Sequence, residues 1–108
     1  MLSLHGQARI FLYQQPMSMH KSFEGLSKAI EETFPGELFT NAYFLFLSRR
    51  KDCMKILYWD GDGFIIWYKR LEKGCFKAMS AEKSLNRRQF FMLLEGIVPK
   101  RLQNRFSL

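Results

Sequence analysis

Asp60 and Asp62 are the first residues whose type and spacing suit chemistry, because two nearby carboxylates can hold Mg²⁺ for phosphoryl transfer. They alternate with glycines in Asp60-Gly61-Asp62-Gly63, and that pattern predicts a hairpin tip: glycine supplies positive φ and aspartate bonds its own backbone. No glutamate follows at calcium-loop distance, the next acidic residue being Glu72. The two histidines, His5 and His20, have no Cys or Ser nucleophile motif beside them and fit no triad. Cys53 and Cys75 form neither a CxxC pair nor a metal-ligand spacing, and read as small packed hydrophobes of a reduced, intracellular chain. Gly61 and Gly63 lack the G-x-x-x-x-G-K-[ST] series of a phosphate loop. The expectation is no catalytic residue, no metal site and no cofactor.

Positive charge is the stronger signal. The formal net charge is +7, and it is unevenly spread: residues 1–48 hold three basic and four acidic groups, residues 49–108 fourteen and six. Such asymmetry suits binding to nucleic acid, an anionic membrane or an acidic protein, and a solvated basic face gives similar numbers. Arg49, Arg50 and Lys51 form a cluster between two apolar runs, while Lys69 and Arg70 end the run beyond the Asp-Gly turn. An antiparallel pairing of these runs brings the two groups together, with Lys55 between them, into one phosphate-facing patch. Tyr58, Trp59, Trp67 and Tyr68 share those runs; they suit either base stacking or core packing, and packing is the commoner use of large aromatics in a small domain. Arg87 and Arg88 stand in the first turn of a predicted helix, where the macrodipole disfavours cations.

The elements that must position these residues follow from periodicity. Residues 8–13 predict a strand, ended by Gln14-Gln15-Pro16. Met19, Phe23, Leu26, Ile30 and Phe34 line one face of a helix over 19–34, with Ser18 as N-cap and Pro35-Gly36 as stop. Gly25 inside it suggests a close packing contact. A β-meander follows over 41–48, 53–59, 64–71 and a short 75–77, with apolar residues on both faces, so that both faces of the sheet need cover. Asn86 and Gln89 make a capping box and Leu85 with Phe90 a hydrophobic staple; Phe90, Leu93, Leu94 and Ile97 then continue a helical stripe towards Gly96 and Pro99. The predicted fold is α+β: an antiparallel sheet of four or five strands packed against two helices, with Phe23, Leu26, Ile30, Leu57, Phe90 and Leu94 in the core.

Composition sets the frame. With 108 residues, 47% hydrophobic and 16% aromatic, the chain has material for one core and length for one domain, residues 1–108. The N-terminus lacks a basic region followed by a long apolar run, and no apolar run approaches membrane-spanning length, so the expected location is cytoplasmic, with no membrane and no small-molecule partner.

The series Ser-Arg-Arg-Lys-Asp-Cys-Met-Lys-Ile-Leu-Tyr-Trp-Asp-Gly-Asp-Gly-Phe (48–64), then Lys69-Arg70-Leu71-Glu72-Lys73-Gly74 and Leu93-Leu94-Glu95-Gly96-Ile97, resembles the TnpB accessory proteins encoded by the second reading frame of bacterial insertion sequences of the sixty-six family. Met19-His20-Lys21-Ser22-Phe23-Glu24-Gly25-Leu26 is similar to that family's M-R-K-x-x-D/E-G-L segment, with His20 where arginine is usual. The resemblance implies a non-catalytic part in DNA transposition, the cutting and joining being done by a separately encoded DDE transposase. Two functions are then expected. One is DNA binding, at element ends or without sequence preference, through Arg49, Arg50, Lys51, Lys55, Lys69 and Arg70. The alternative is an adaptor that binds the transposase or another element-encoded protein, or self-associates.

Overall fold

In a computed structural model, which describes residues 8–77 and 83–94, a helix lies on each face of a five-stranded sheet. The elements are β1 (Ile10–Leu12), α1 (Phe23–Thr33), β2 (Tyr43–Leu47), β3 (Cys53–Trp59), β4 (Phe64–Arg70), β5 (Ser84–Leu85) and α2 (Arg87–Leu94). The strand order is β4-β3-β2-β1-β5. β2, β3 and β4 form the expected antiparallel meander, Asp60 N–H closing its second turn on the Gly63 carbonyl. β1, by contrast, runs parallel to β2, because α1 is the crossover between them and a parallel connection needs one. The sheet is therefore mixed, though mostly antiparallel, and the fold is α+β as the sequence indicates.

Alternation along the strands sends side chains to two separate cores. On one face Leu26, Ala29 and Ile30 of α1, with Phe34 and Leu38, cover Phe44, Phe46 and Leu57. On the other, Phe90, Leu93 and Leu94 of α2, with Phe76, cover Tyr43, Leu45, Met54 and Ile56. All five residues of β2 are consequently buried, which explains why Tyr-Phe-Leu-Phe-Leu shows no polar position. Each large side chain sealed this way contributes about 1.5–3 kcal/mol. Among the described residues no buried polar side chain lacks a hydrogen-bond partner.

Three local expectations are corrected. The first helix starts at Phe23 after Ser22, not after Ser18, whose hydroxyl instead accepts the His20 N–H. The cause is Lys55: its ammonium donates to the carbonyls of Met19 (2.7 Å) and Lys21 (2.8 Å), and a helix begun at Met19 would offer the Met19 carbonyl to the N–H of Phe23. Phe23, expected in the core, is 44% exposed, since it is the first helical residue at the end of the α1 stripe. Residues 75–77 form no strand; Phe76 is buried and its N–H reaches the Lys51 carbonyl, but the ladder goes no further, and the fifth strand is β5, antiparallel to β1. The close contact expected at Gly25 is present and is made by a flexible side chain: a Cβ there would come within 2.7 Å of Lys21 Cδ.

The second helix is capped as the sequence indicates. Gln89 N–H donates to Asn86 Oδ1 (2.7 Å) and Asn86 N–H to Gln89 Oε1 (2.9 Å), while Leu85 and Phe90 share one core. Ile97, Gly96 and Pro99 lie outside the described residues, as do His5 and Glu82.

Candidate nucleic-acid interface

The loop between β2 and β3 carries Arg49, Arg50 and Lys51 as three consecutive exposed cations. Its conformation is set by the residues at its two ends. The Ser48 hydroxyl donates to Asp52 Oδ1 (3.1 Å) and accepts from the Cys53 N–H (3.1 Å), the Ser48 N–H reaches the Cys53 carbonyl, and the Lys51 N–H returns to the Ser48 carbonyl. This tight closure forces Lys51 to φ +63°, a left-handed conformation that glycine or asparagine adopts at lower cost than a long side chain. Further bonds from Leu71 N–H to the Asp52 carbonyl and from Phe76 N–H to the Lys51 carbonyl tie the loop to the segment after β4. The cations stand on a fixed support.

Register decides which other basic residues join them. Arg70 is paired with Cys53, the first residue after the loop, and is exposed, so the register sets it at the same end of the meander as the loop. Lys69, one position earlier, points to the opposite face; its ammonium donates to the Leu94 carbonyl (3.2 Å) at the end of α2. Lys55 lies on the same face as Arg70, but its ammonium is taken by the Met19 and Lys21 carbonyls and rests 5.2 Å from the centre of the Tyr68 ring. Arg49, Arg50, Lys51 and Arg70 are thus left exposed at one end of the β2–β3–β4 meander, while Lys55 and Lys69 serve as internal ties. Composition gives no signal for that division, because the carbonyls that bind Lys55 belong to residues far away in sequence.

The aromatics divide similarly. Tyr58 stacks on Tyr43, Trp59 meets Phe39 and Phe64 edge-on, and Trp67 packs against the α2-side core. Tyr68 is 50% exposed and stands on the face of Arg70, which makes it the one member of the four placed to stack on a base. Its phenol is held above the ordinary value, first by a hydrogen bond with the Cys53 side chain and then by burial; Tyr58 is raised by burial and by the nearby Asp60 carboxylate. Both remain neutral hydrogen-bonding groups across the physiological range. Arg87 and Arg88 are exposed at the start of α2.

Asp60 and Asp62 sit exposed on the second hairpin, with Gly61 at φ +91° as its turn requires. Among the described residues no group of three His, Cys, Asp or Glu side chains could hold a metal ion, and no helix is long and apolar enough to cross a membrane. Hollows beside the loop are bordered by Gln14, Pro16 and Met19 on one side and Ser48, Arg49 and Lys51 on the other.

The described residues form a small α+β domain whose β2–β3 loop carries three exposed cations. The profile of the family described as IS66 Orf2 like protein matches residues 8–104, and the chain belongs to that family, among the accessory proteins of insertion sequences. It is also similar to a curated protein of Sinorhizobium fredii (strain NBRC 101917 / NGR234) named "Uncharacterized protein y4jC", with 31% identity over 68 residues. The similarity covers 63% of this chain and 58% of that protein, so the chain spans less than two-thirds of the length of this relative. No solved structure matches the chain.

Proposed function

We propose that this protein is a non-catalytic factor in transposition that holds DNA by its phosphate backbone through Arg49, Arg50, Lys51 and Arg70. The observation that carries the reading is the β2–β3 loop: three consecutive exposed cations on a turn closed by Ser48 and Asp52, with Arg70 brought alongside by the β3–β4 register. Guanidinium forks borne on a backbone closed this way suit phosphate oxygens, which position a protein on DNA without reading its sequence. Tyr68, exposed on the same face, adds a stacking surface for an unpaired base. Sequence choice between element ends and other DNA then falls to the transposase.

Four cations neutralising about four phosphates give a slope of log K against log salt of roughly −3.6 on duplex DNA. Replacing Arg49 and Arg50 together by alanine should flatten that slope by about 2 and leave thermal stability nearly unchanged, because exposed arginines contribute little to folding. Fluorescence anisotropy across a salt series reads both numbers; an unaltered slope in the double variant removes the patch. A second reading, an adaptor for the transposase, is favoured by Phe91 and Met92, which are exposed on the outer side of α2. Salt-independent or absent DNA binding together with co-purification of the transposase would favour that reading instead.

A further inference from the structure

The two edges of the sheet are built differently. β5 closes one edge with only two residues, a length that leaves little to pair with. β4 forms the other edge with seven, Phe-Ile-Ile-Trp-Tyr-Lys-Arg, and among the described residues no strand lies beyond it. It contains no proline, and its charges are confined to the last two positions. The bonds Asp60 N–H to Gly63 and Leu71 N–H to Asp52 fix the alternation of the β3–β4 ladder: residues 65, 67 and 69 turn their N–H and C=O towards β3. Phe64, Ile66, Tyr68 and Arg70 turn theirs to the open side.

We infer that β4 is a self-pairing edge, and that a second copy of this chain adds to it antiparallel across a twofold axis through Trp67. The strand is complementary to itself in this arrangement. Ile66 pairs with Tyr68 of the other copy and Phe64 with Arg70, so every outward backbone group meets a partner, in about eight main-chain hydrogen bonds. Directly paired residues share a face, so each Arg70 reaches the aromatic cluster that Phe64 forms with Trp59 and Phe39, the last of which is 58% exposed. This contact occurs twice, as an isologous interface requires. A guanidinium stacked on a ring keeps its N–H edge for other partners, so the contact does not withdraw Arg70 from an anion. A parallel pairing would place Lys69 and Arg70 beside their own copies; the antiparallel one sets the two Arg70 positions roughly 20 Å apart along the strands. The inference does not rest on the DNA reading.

The test uses the full chain. Sedimentation velocity over a dilution series should show a monomer–dimer equilibrium, and amide hydrogen exchange read by NMR should show Ile66, Tyr68 and Arg70 protected at dimer concentrations and unprotected on dilution. Tyr68→Pro deletes an outward N–H without touching the β3 ladder, and should weaken dimerisation tenfold or more while the circular dichroism spectrum stays that of the parent. If that variant does not fold, the wild-type exchange pattern decides alone. A chain that stays monomeric at every concentration overturns the inference. So does a dimer whose Ile66 and Tyr68 amides exchange as in the monomer, or protection of those amides that is independent of dilution, which would show the edge covered within one chain.

Discussion

Lysines 51 and 55 are four positions apart, and the fold uses them in opposite ways. Lys55 is partly buried, and its ammonium satisfies two carbonyls from the segment leading into α1. Lys55→Met keeps most of the stem and removes the donor, leaving both carbonyls without this partner. The expected loss is about 1–3 kcal/mol in denaturant unfolding, with the salt dependence of DNA binding unchanged. Lys51 is exposed, and its backbone is in a conformation that favours glycine. Lys51→Gly should therefore hold or raise stability, by up to about 1 kcal/mol, while weakening DNA binding and reducing the salt slope by about 1. Measured side by side, the two variants separate a cation that serves the fold from one that serves a partner. Equal effects on stability would show that the distinction drawn between them is wrong.

At the scale of elements, α2 depends on a reciprocal cap. Asn86→Ala removes the acceptor for the Gln89 N–H, and should cost about 0.5–2 kcal/mol by chemical denaturation, with the far-ultraviolet spectrum otherwise retained. That cap was legible in the sequence, as was the Asp-Gly hairpin, because both are local rules in which a few neighbouring residues determine the geometry. The start of α1 was not. Ser18 satisfies the same local rule as Ser22, and the choice between them is made by Lys55, which is far away in the chain and adjacent only once β3 has formed. The short strands were hard to read for a related reason. Ser84–Leu85 carries little strand signal of its own and becomes a strand because β1 offers it an edge, whereas the more apolar 75–77 is drawn into the core by Phe76. The candidate site shows the same division: the loop cations were visible as a cluster, but alternation along β4 separates Lys69 from Arg70, and only the fold shows which basic side chains are already engaged.

At the scale of the whole molecule, stability comes from two hydrophobic layers on either side of one sheet. Cys53 and Cys75 are free, and among the described residues no group of three His, Cys, Asp or Glu side chains could hold a metal ion. Treatment with a chelator should leave the melting temperature unchanged, and a fall would reveal ligands outside the sites described. The strand order has a further consequence, for the time course of synthesis. β1 is made first but lies between β2 and β5, with Ile10 paired to Leu85. On the ribosome the α1 layer can assemble once β3 has emerged, since its members all lie before Trp59 apart from flanking contacts with β4. The opposite layer, Tyr43, Leu45, Met54 and Ile56, waits for Phe76 and then for Phe90 and Leu93. The nascent chain thus carries an incompletely covered apolar sheet face while the residues from Ile56 to Leu93 are made, and closure by α2 is the late, long-range step that ends its exposure to aggregation.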